Sequence, residues 1–293
     1  MRIGYPCINR SIGCTSSRTF RLASYSEKRL VATVAQNLDC LEAVLRWNVD
    51  HGVGFFRITS DLVPFASHPV CTCDWAGLFR DRFRALGRIV TRHRMRISMH
   101  PDQFVLLNAL DEKIVESSVR ELDYHARVLD LMELPVSAKV QIHVGGVYGD
   151  KRASRLRFAE RFARLSSSVR RRLVVENDDR SYTVADCLEV NRLTGLPVLF
   201  DVFHHRINSS GETVREALRS CAATWRRRDG VPMVDYSSQA PHQRRGKHVE
   251  HIELGDFRRF AAQTRGIECD VMLEIKDKEQ SALRALALAS LHP

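Results

Sequence analysis

The 293-residue chain is 44% apolar, an ordinary share for a globular protein and enough to bury a large core. No apolar run nears the roughly 20 residues that span a bilayer, and the opening MRIGYPCINR has no apolar signal core, which argues against a membrane or secreted protein. Forty-five Lys+Arg against 35 Asp+Glu leave a formal net charge of +10, which attracts polyanions, nucleic acid first among them. Eight cysteines are too sparse for a disulfide scaffold, and Cys71-x-Cys73 is one residue short of a zinc knuckle. Cys40, Cys187, Cys221 and Cys269 fall in apolar-periodic stretches, so the expectation is reduced, structural thiols in a cytoplasmic protein.

In chain order, short apolar runs alternate with longer helical patterns. The runs cover residues 3–7, 54–60, 96–100, 139–144, 173–176, 197–201, 232–236 and 270–274, each bounded by polar or turn residues as in strands buried on both faces. Helical periodicity fills the gaps at 27–47, 75–92, 114–131, 157–165, 184–193, 214–224, 257–264 and 282–288. The first carries its stripe on Leu30, Val34, Leu38, Leu41, Val44 and Leu45. Eight alternations without a composition break predict one (β/α)8 TIM barrel domain over residues 1–293, with an open doubly wound sheet as the alternative.

Six consecutive predicted strands end on, or carry, a metal-ligand type of side chain: His100, His143, Glu176, Asp201, Asp235 and Glu274. In a (β/α)8 barrel those strand ends converge on one mouth, where active sites are built. One such residue at a strand end is usually a hydrogen-bonded turn former. Six together place buried carboxylates side by side, which is costly unless a cation sits among them. Imidazoles and carboxylates without thiols suit Mn²⁺, Zn²⁺ or Fe²⁺. His204, His205 and His248 add imidazoles beside strands six and seven, where a third ion could sit. Clustered ions and a basic chain favour phosphodiester cleavage over sugar isomerisation on a similar barrel.

These residues sit within blocks that resemble one family over nearly the whole chain. The blocks are Gly4-Tyr5 with Asn9, Asn37-Leu38, Phe56-Arg57-Ile58-Thr59-Ser60 with His68-Pro69, and His100-Pro101-Asp102-Gln103-Phe104. They continue with Glu176-Asn177-Asp178-Asp179, Asp201-Val202-Phe203-His204-His205, Asp235-Tyr236-Ser237-Ser238-Gln239 and Leu273-Glu274-Ile275-Lys276-Asp277. The chain resembles the UV-damage endonucleases, metal-dependent barrels related to the barrel-type abasic-site endonucleases. That resemblance implies nicking of duplex DNA immediately 5′ to a pyrimidine photoproduct, leaving a 3′-hydroxyl and a 5′-phosphate. It further implies two or three divalent ions, Mn²⁺ foremost. His100, His143 and Glu176 would hold one, and Glu176 would bridge to a second on Asp201, Asp235 and Glu274. His204 and His248 would hold a third. Glu176, Glu274 and His68 are the implied catalytic residues, with His68 a ligand or phosphate contact. Family members can carry a lysine two residues before the strand-seven ligand and a histidine at the ligand itself. Here those positions are Met233, which supplies no oxygen, and Asp235.

Gln103-Phe104 resembles the family's probing pair, an amide and a ring that wedge into the helix where bases are expelled. Tyr5 and Asn9 are expected to contact the extruded nucleotides. Arg244, Arg245 and Lys247, in the loop leading to His248, are expected phosphate contacts, whereas Arg226-Arg227-Arg228 reads as a solvated face. The expected partner is damaged double-stranded DNA, met by a monomer without membrane association. A barrel-type abasic-site endonuclease, a sugar isomerase and a non-catalytic DNA-binding module are the competing readings.

Overall fold

A computed structural model describes residues 1–290 of the chain. Eight parallel strands close into a barrel in sequence order, the (β/α)8 TIM-barrel fold. They are β1 (Ile3–Pro6), β2 (Phe55–Ile58), β3 (Arg96–Met99), β4 (Lys139–His143), β5 (Leu173–Glu176), β6 (Val198–Asp201), β7 (Met233–Tyr236) and β8 (Asp270–Leu273). Around them run α1 (Glu27–Asp50), α2 (Trp75–Leu78), α3 (Arg80–Arg92), α4 (Glu112–Leu131), α5 (Lys151–Arg164), α6 (Ser167–Arg172) and α7 (Val184–Thr194). α8 (Val202–Ile207), α9 (Val214–Ala222), α10 (Leu254–Gln263) and α11 (Glu279–Ser290) complete the ring.

Every predicted strand is present, but several stop early. β1 ends before Cys7, whose φ of 68° turns the chain out of the sheet. β2 ends at Ile58 because Thr59 caps a short 3-10 helix through its hydroxyl, which accepts from the Asp61 amide. The 75–92 pattern is two helices meeting at Phe79, and α5 begins six residues before its apolar stripe because Asp150 caps it.

The twofold alternation of strand side chains gives the barrel interior distinct levels. At the N-terminal end of the barrel lie Arg96, Lys139 and Asp270. Lys139 Nζ donates to Asp229 at 2.6 Å, and Arg96 pairs with Asp270 at 3.1 Å. One pleat further along, Phe55, Val174, Leu199, Met233 and Met272 form an apolar plug. Above the plug, toward the strands' C-terminal ends, come Arg57, Gln141, His143, Glu176, Asp201 and Asp235. Met233 is thus packed beneath Asp235 and offers no donor to a site at the mouth.

One sequence expectation is corrected here. Cys14 and Cys40 form a disulfide, because the loop after β1 lays Cys14 against α1 with the Cα atoms 5.9 Å apart, within bonding range. The remaining six cysteines are free thiols. No described helix is long and apolar enough to cross a membrane.

Asp256, in the first turn of α10, ties the outer face of β7 to its neighbours. Its carboxylate accepts from Tyr236 Oη at 2.6 Å, Ser238 Oγ at 2.7 Å and Arg206 Nη1 at 2.6 Å. Burial pushes this carboxyl up, but those donors outweigh it and hold it at about 2. A folded pKa below the unfolded value of about 3.9 gives stability that is present above that value and lost as pH falls through 2. Asp256→Asn is expected to cost about 1–3 kcal/mol at pH 7. In urea titrations the gap should narrow between pH 4 and pH 2.

Candidate active site

The C-terminal mouth of the barrel opens into a cleft of roughly 1020 Å³ lined by Arg57, His100, His143, His248 and Glu274, with Gln103, Phe104, Arg244 and Lys247 also on its walls. Two groups of side chains offer ligand atoms within 4.8 Å of one another: His100 with His143 and Glu176, and Asp201 with Asp235 and Glu274.

Each histidine is set by what its far nitrogen does. His100 Nδ1 lies 2.8 Å from the Pro101 carbonyl, His204 Nδ1 3.0 Å from that of Asn177, and His248 Nδ1 2.8 Å from that of Glu274. A carbonyl only accepts, so each Nδ1 donates and a neutral ring then leaves its Nε2 lone pair exposed. His100 Nε2 is 2.9 Å and His143 Nε2 3.1 Å from the same oxygen, Glu176 Oε1. His143 Nδ1 is buried without a partner. A lone pair opposite a carboxylate oxygen at this distance requires a proton or a cation between them. The donor set fits a divalent metal ion, two imidazoles and a carboxylate in one group and three carboxylates in the other.

The electrostatics express the same crowding. Burial raises the Glu176 carboxyl, but His143 and His100 outweigh it and hold it at about 2. Burial lifts Asp201 to about 6, with Glu274 and Glu176 repelling it against the pull of His204. Burial drives Asp235 well above the carboxylate range despite Arg57, while Arg57 and His248 hold Glu274 below it against the same burial. His204 loses to burial but gains more from Asp201 and reaches about 9. Four carboxylates around one cavity are a standing demand for positive charge.

Arg57 meets part of that demand. Its Nη2 donates to both Asp235 oxygens, at 2.8 and 2.7 Å, and its Nη1 donates to Glu274 Oε1. Gln141 Nε2 donates to Glu176 at 2.7 Å and to Asp235 at 2.6 Å. Asn177 staples the ends of β5 and β6, donating to the Asp201 carbonyl and accepting from its amide, both at 2.9 Å. Sequence reasoning put neither Arg57 nor Gln141 in the site. The available signal was their place in strand alternation, two residues beyond Phe55 and two before His143.

The remaining expected residues are distributed unequally. Gln103 and Phe104 stand exposed on the loop after His100, Phe104 at 74%. Arg244 is exposed on the cleft wall; Arg245 donates to the Ile207 carbonyl, and Lys247 Nζ donates to Gln243 at 2.9 Å. His68 is exposed in a neighbouring depression that it shares with Asp102 and Phe104, and its Nδ1 accepts from the Val70 amide. His205 is buried against Phe200, outside both ligand groups.

Tyr5 and Asn9 correct the expectation made for them. Tyr5 pairs in register with Phe56, whose face points away from the barrel axis, so its ring packs on Phe56 and Trp47 at 0% exposure. Its hydroxyl donates to Asn48 and accepts from Asn9, which is itself buried. Neither side chain reaches the cleft surface. Arg226, Arg227 and Arg228 are exposed in the connection from α9 to β7, at the opposite end of the strands.

Residues 1–292 match the UV-endonuclease UvdE family. A UV DNA damage endonuclease of Clostridium perfringens (strain 13 / Type A) is 32% identical over 288 residues, covering 98% of this chain and 70% of that protein. The crystal structure of SacUVDE superposes with a TM-score of 0.95 at 42% identity, over 99% of this chain and 98% of the other. An L-ribulose 3-epimerase, 16% identical with a TM-score of 0.58 over 86% of this chain and 88% of its own, shares the fold alone. The barrel by itself therefore does not separate a nuclease from a sugar epimerase, but a match running the full length of the chain does separate them: the protein belongs to the UV-endonuclease UvdE family.

Proposed function

We propose that the protein is a DNA-repair endonuclease that nicks duplex DNA immediately 5′ to UV photoproducts by metal-dependent phosphodiester hydrolysis. The observation that carries this reading is the pair of imidazoles converging on one oxygen, Glu176 Oε1, with the neutral-ring proton of His100 already committed to the Pro101 carbonyl. His100, His143 and Glu176 would hold one divalent ion, Mn²⁺ by preference, and Asp201, Asp235 and Glu274 a second. His204 and His248 present free Nε2 atoms for a third. Bound there, the ions supply Lewis-acid activation of water and neutralise charge at the phosphate.

This chain's own residues do the rest. The backbone carbonyls of Pro101, Asn177 and Glu274 fix three imidazoles in one tautomer, and Gln141 orients Glu176. Arg57 holds Asp235 and Glu274 apart from each other's repulsion. Arg244, Arg245 and Lys247 meet backbone phosphates along the wall, and the protein works as a monomer in the cytoplasm. Plasmid nicking assays test the reading. The protein with Mn²⁺ should relax irradiated supercoiled plasmid, leave intact plasmid closed, and stop on chelation. Preferential nicking of abasic plasmid would favour the abasic-site reading instead.

Gln103 and Phe104 supply lesion selection in this scheme, since a ring this exposed contributes little to packing. The Gln103→Ala, Phe104→Ala double variant should keep its metal content. It should also lose about ten- to a hundredfold of its preference for lesion-containing duplex, since stacking is worth ~1–3 kcal/mol per base. Binding to lesion and intact duplexes, with metal content measured in parallel, checks this. An unchanged preference would assign lesion reading to other residues.

A further inference from the structure

Lys278 occupies the turn between β8 and α11 and lines the same cleft as Arg57, His100, His143 and Glu274. Three features set it apart. Its φ is 56°, a left-handed conformation that disfavours any residue with a Cβ other than Asn or Asp. It is half-buried, and among the described residues its ammonium makes no hydrogen bond or ion pair. The other partly or fully buried cations of the cleft are committed: Arg57 to Asp235 and Glu274, Lys276 to Glu250, and Lys247 to Gln243.

The turn that presents Lys278 is firmly held. Its amide donates to the Ile275 carbonyl at 3.2 Å, and its own carbonyl accepts from Ala282 at 3.2 Å. Next to it, the buried Glu279 accepts from the Arg10 amide at 3.0 Å and Ser11 Oγ at 2.8 Å, pinning the start of α11 to the loop after β1. Glycine would satisfy this backbone without penalty, so a lysine here has to be accounted for by its side chain. A half-buried ammonium with no hydrogen-bonded partner, feeling only the more distant charge of Glu274, is likewise poorly compensated until an anion arrives.

We propose that Lys278 is a substrate-binding residue that grips the phosphate to be cleaved, a phosphodiester anion entering between it and Glu274. This rests on the endonuclease reading above. The phosphate must approach Glu176 and Glu274, and a fixed ammonium lining the same cleft offsets that repulsion with charge-assisted hydrogen bonds. Cys7, also left-handed at 68° and on the cleft wall, closes the same corner from β1.

The test compares wild type, Lys278→Gly, Lys278→Asn and Lys278→Arg on a duplex carrying one photoproduct, with Mn²⁺ present. Glycine and asparagine both accept the left-handed backbone, so melting temperatures should stay at or above the wild-type value. The maximal nicking rate should fall about ten- to a hundredfold, the usual value of a charged hydrogen bond. Duplex affinity should change less than threefold, because one phosphate contact among several is lost. Lys278→Arg should recover most of the rate. Lys278→Gly nicking at the wild-type rate would overturn the proposal, as would equal losses in the arginine and glycine variants. Absence of nicking by the wild type would instead count against the endonuclease reading on which it rests.

Discussion

Glu176→Gln should abolish nicking of irradiated plasmid while leaving the barrel folded. Glu176 is 1% exposed, yet a single oxygen faces His100 and His143, and Gln141 occupies the other. Glutamine keeps the volume and removes the charge that makes the two imidazoles a cation site. The amide can also donate to either Nε2, satisfying them without an ion. We expect a loss of at least about a hundredfold in rate, the scale seen when metal-site partners are removed, together with reduced metal content. Titration of metal against the purified variant, beside its nicking rate and circular dichroism, measures all three. A folded Glu176→Gln protein that nicks at the wild-type rate would remove the metal cluster from the mechanism.

Arg57→Met should be the most destabilising substitution at the mouth. Arg57 is 3% exposed and neutralises Asp235, which is fully buried. Removing one partner of a buried ion pair typically costs about 3–5 kcal/mol, because the other charge is left uncompensated. With Arg57 gone, burial, which already drives the Asp235 carboxyl well above its ordinary range, acts unopposed by that cation and raises it further above the unfolded value. Neither protein bears a cost from this group below the unfolded pKa of about 3.9, and the variant's cost exceeds that of the wild type once pH rises above the wild-type folded value. Urea unfolding of the chelated protein at pH 5 and pH 8 should therefore show a larger deficit at pH 8. Arg57→Met, Asp235→Asn should recover much of it, since the charge goes with its partner. A single variant within about 1 kcal/mol of wild type would show that Asp235 is already neutral and does not need Arg57.

What the sequence disclosed, and what it hid, follows from the range of the forces involved. Strand ends bearing His100, His143, Glu176, Asp201, Asp235 and Glu274 were legible because ionisable residues repeatedly terminating apolar runs have few structural uses. Barrel closure then brings distant positions together by topology alone. The role of Arg57 was hidden because one cation within a strand is ambiguous until closure places Asp235 and Glu274, 178 and 217 residues away, against it. Tyr5 was misjudged for want of register: its pairing with Phe56 rather than Arg57 turns the ring outward onto α1. The Cys14–Cys40 disulfide depends on the path of an irregular loop, which periodicity does not describe. Lys278 gave no local sign either, since its left-handed backbone is set by contacts on both sides of the turn.

Metal-dependent cleavage beside the lesion is best tested by mapping the cut itself. An end-labelled duplex with a single pyrimidine photoproduct is incubated with the protein and Mn²⁺, and the products are sized and their termini probed with a polymerase. One break is expected at the phosphodiester immediately 5′ to the lesion, with a 3′-hydroxyl that the polymerase extends and no product after chelation. Cleavage of intact duplex at the same rate, or cleavage that persists without divalent ions, would contradict it.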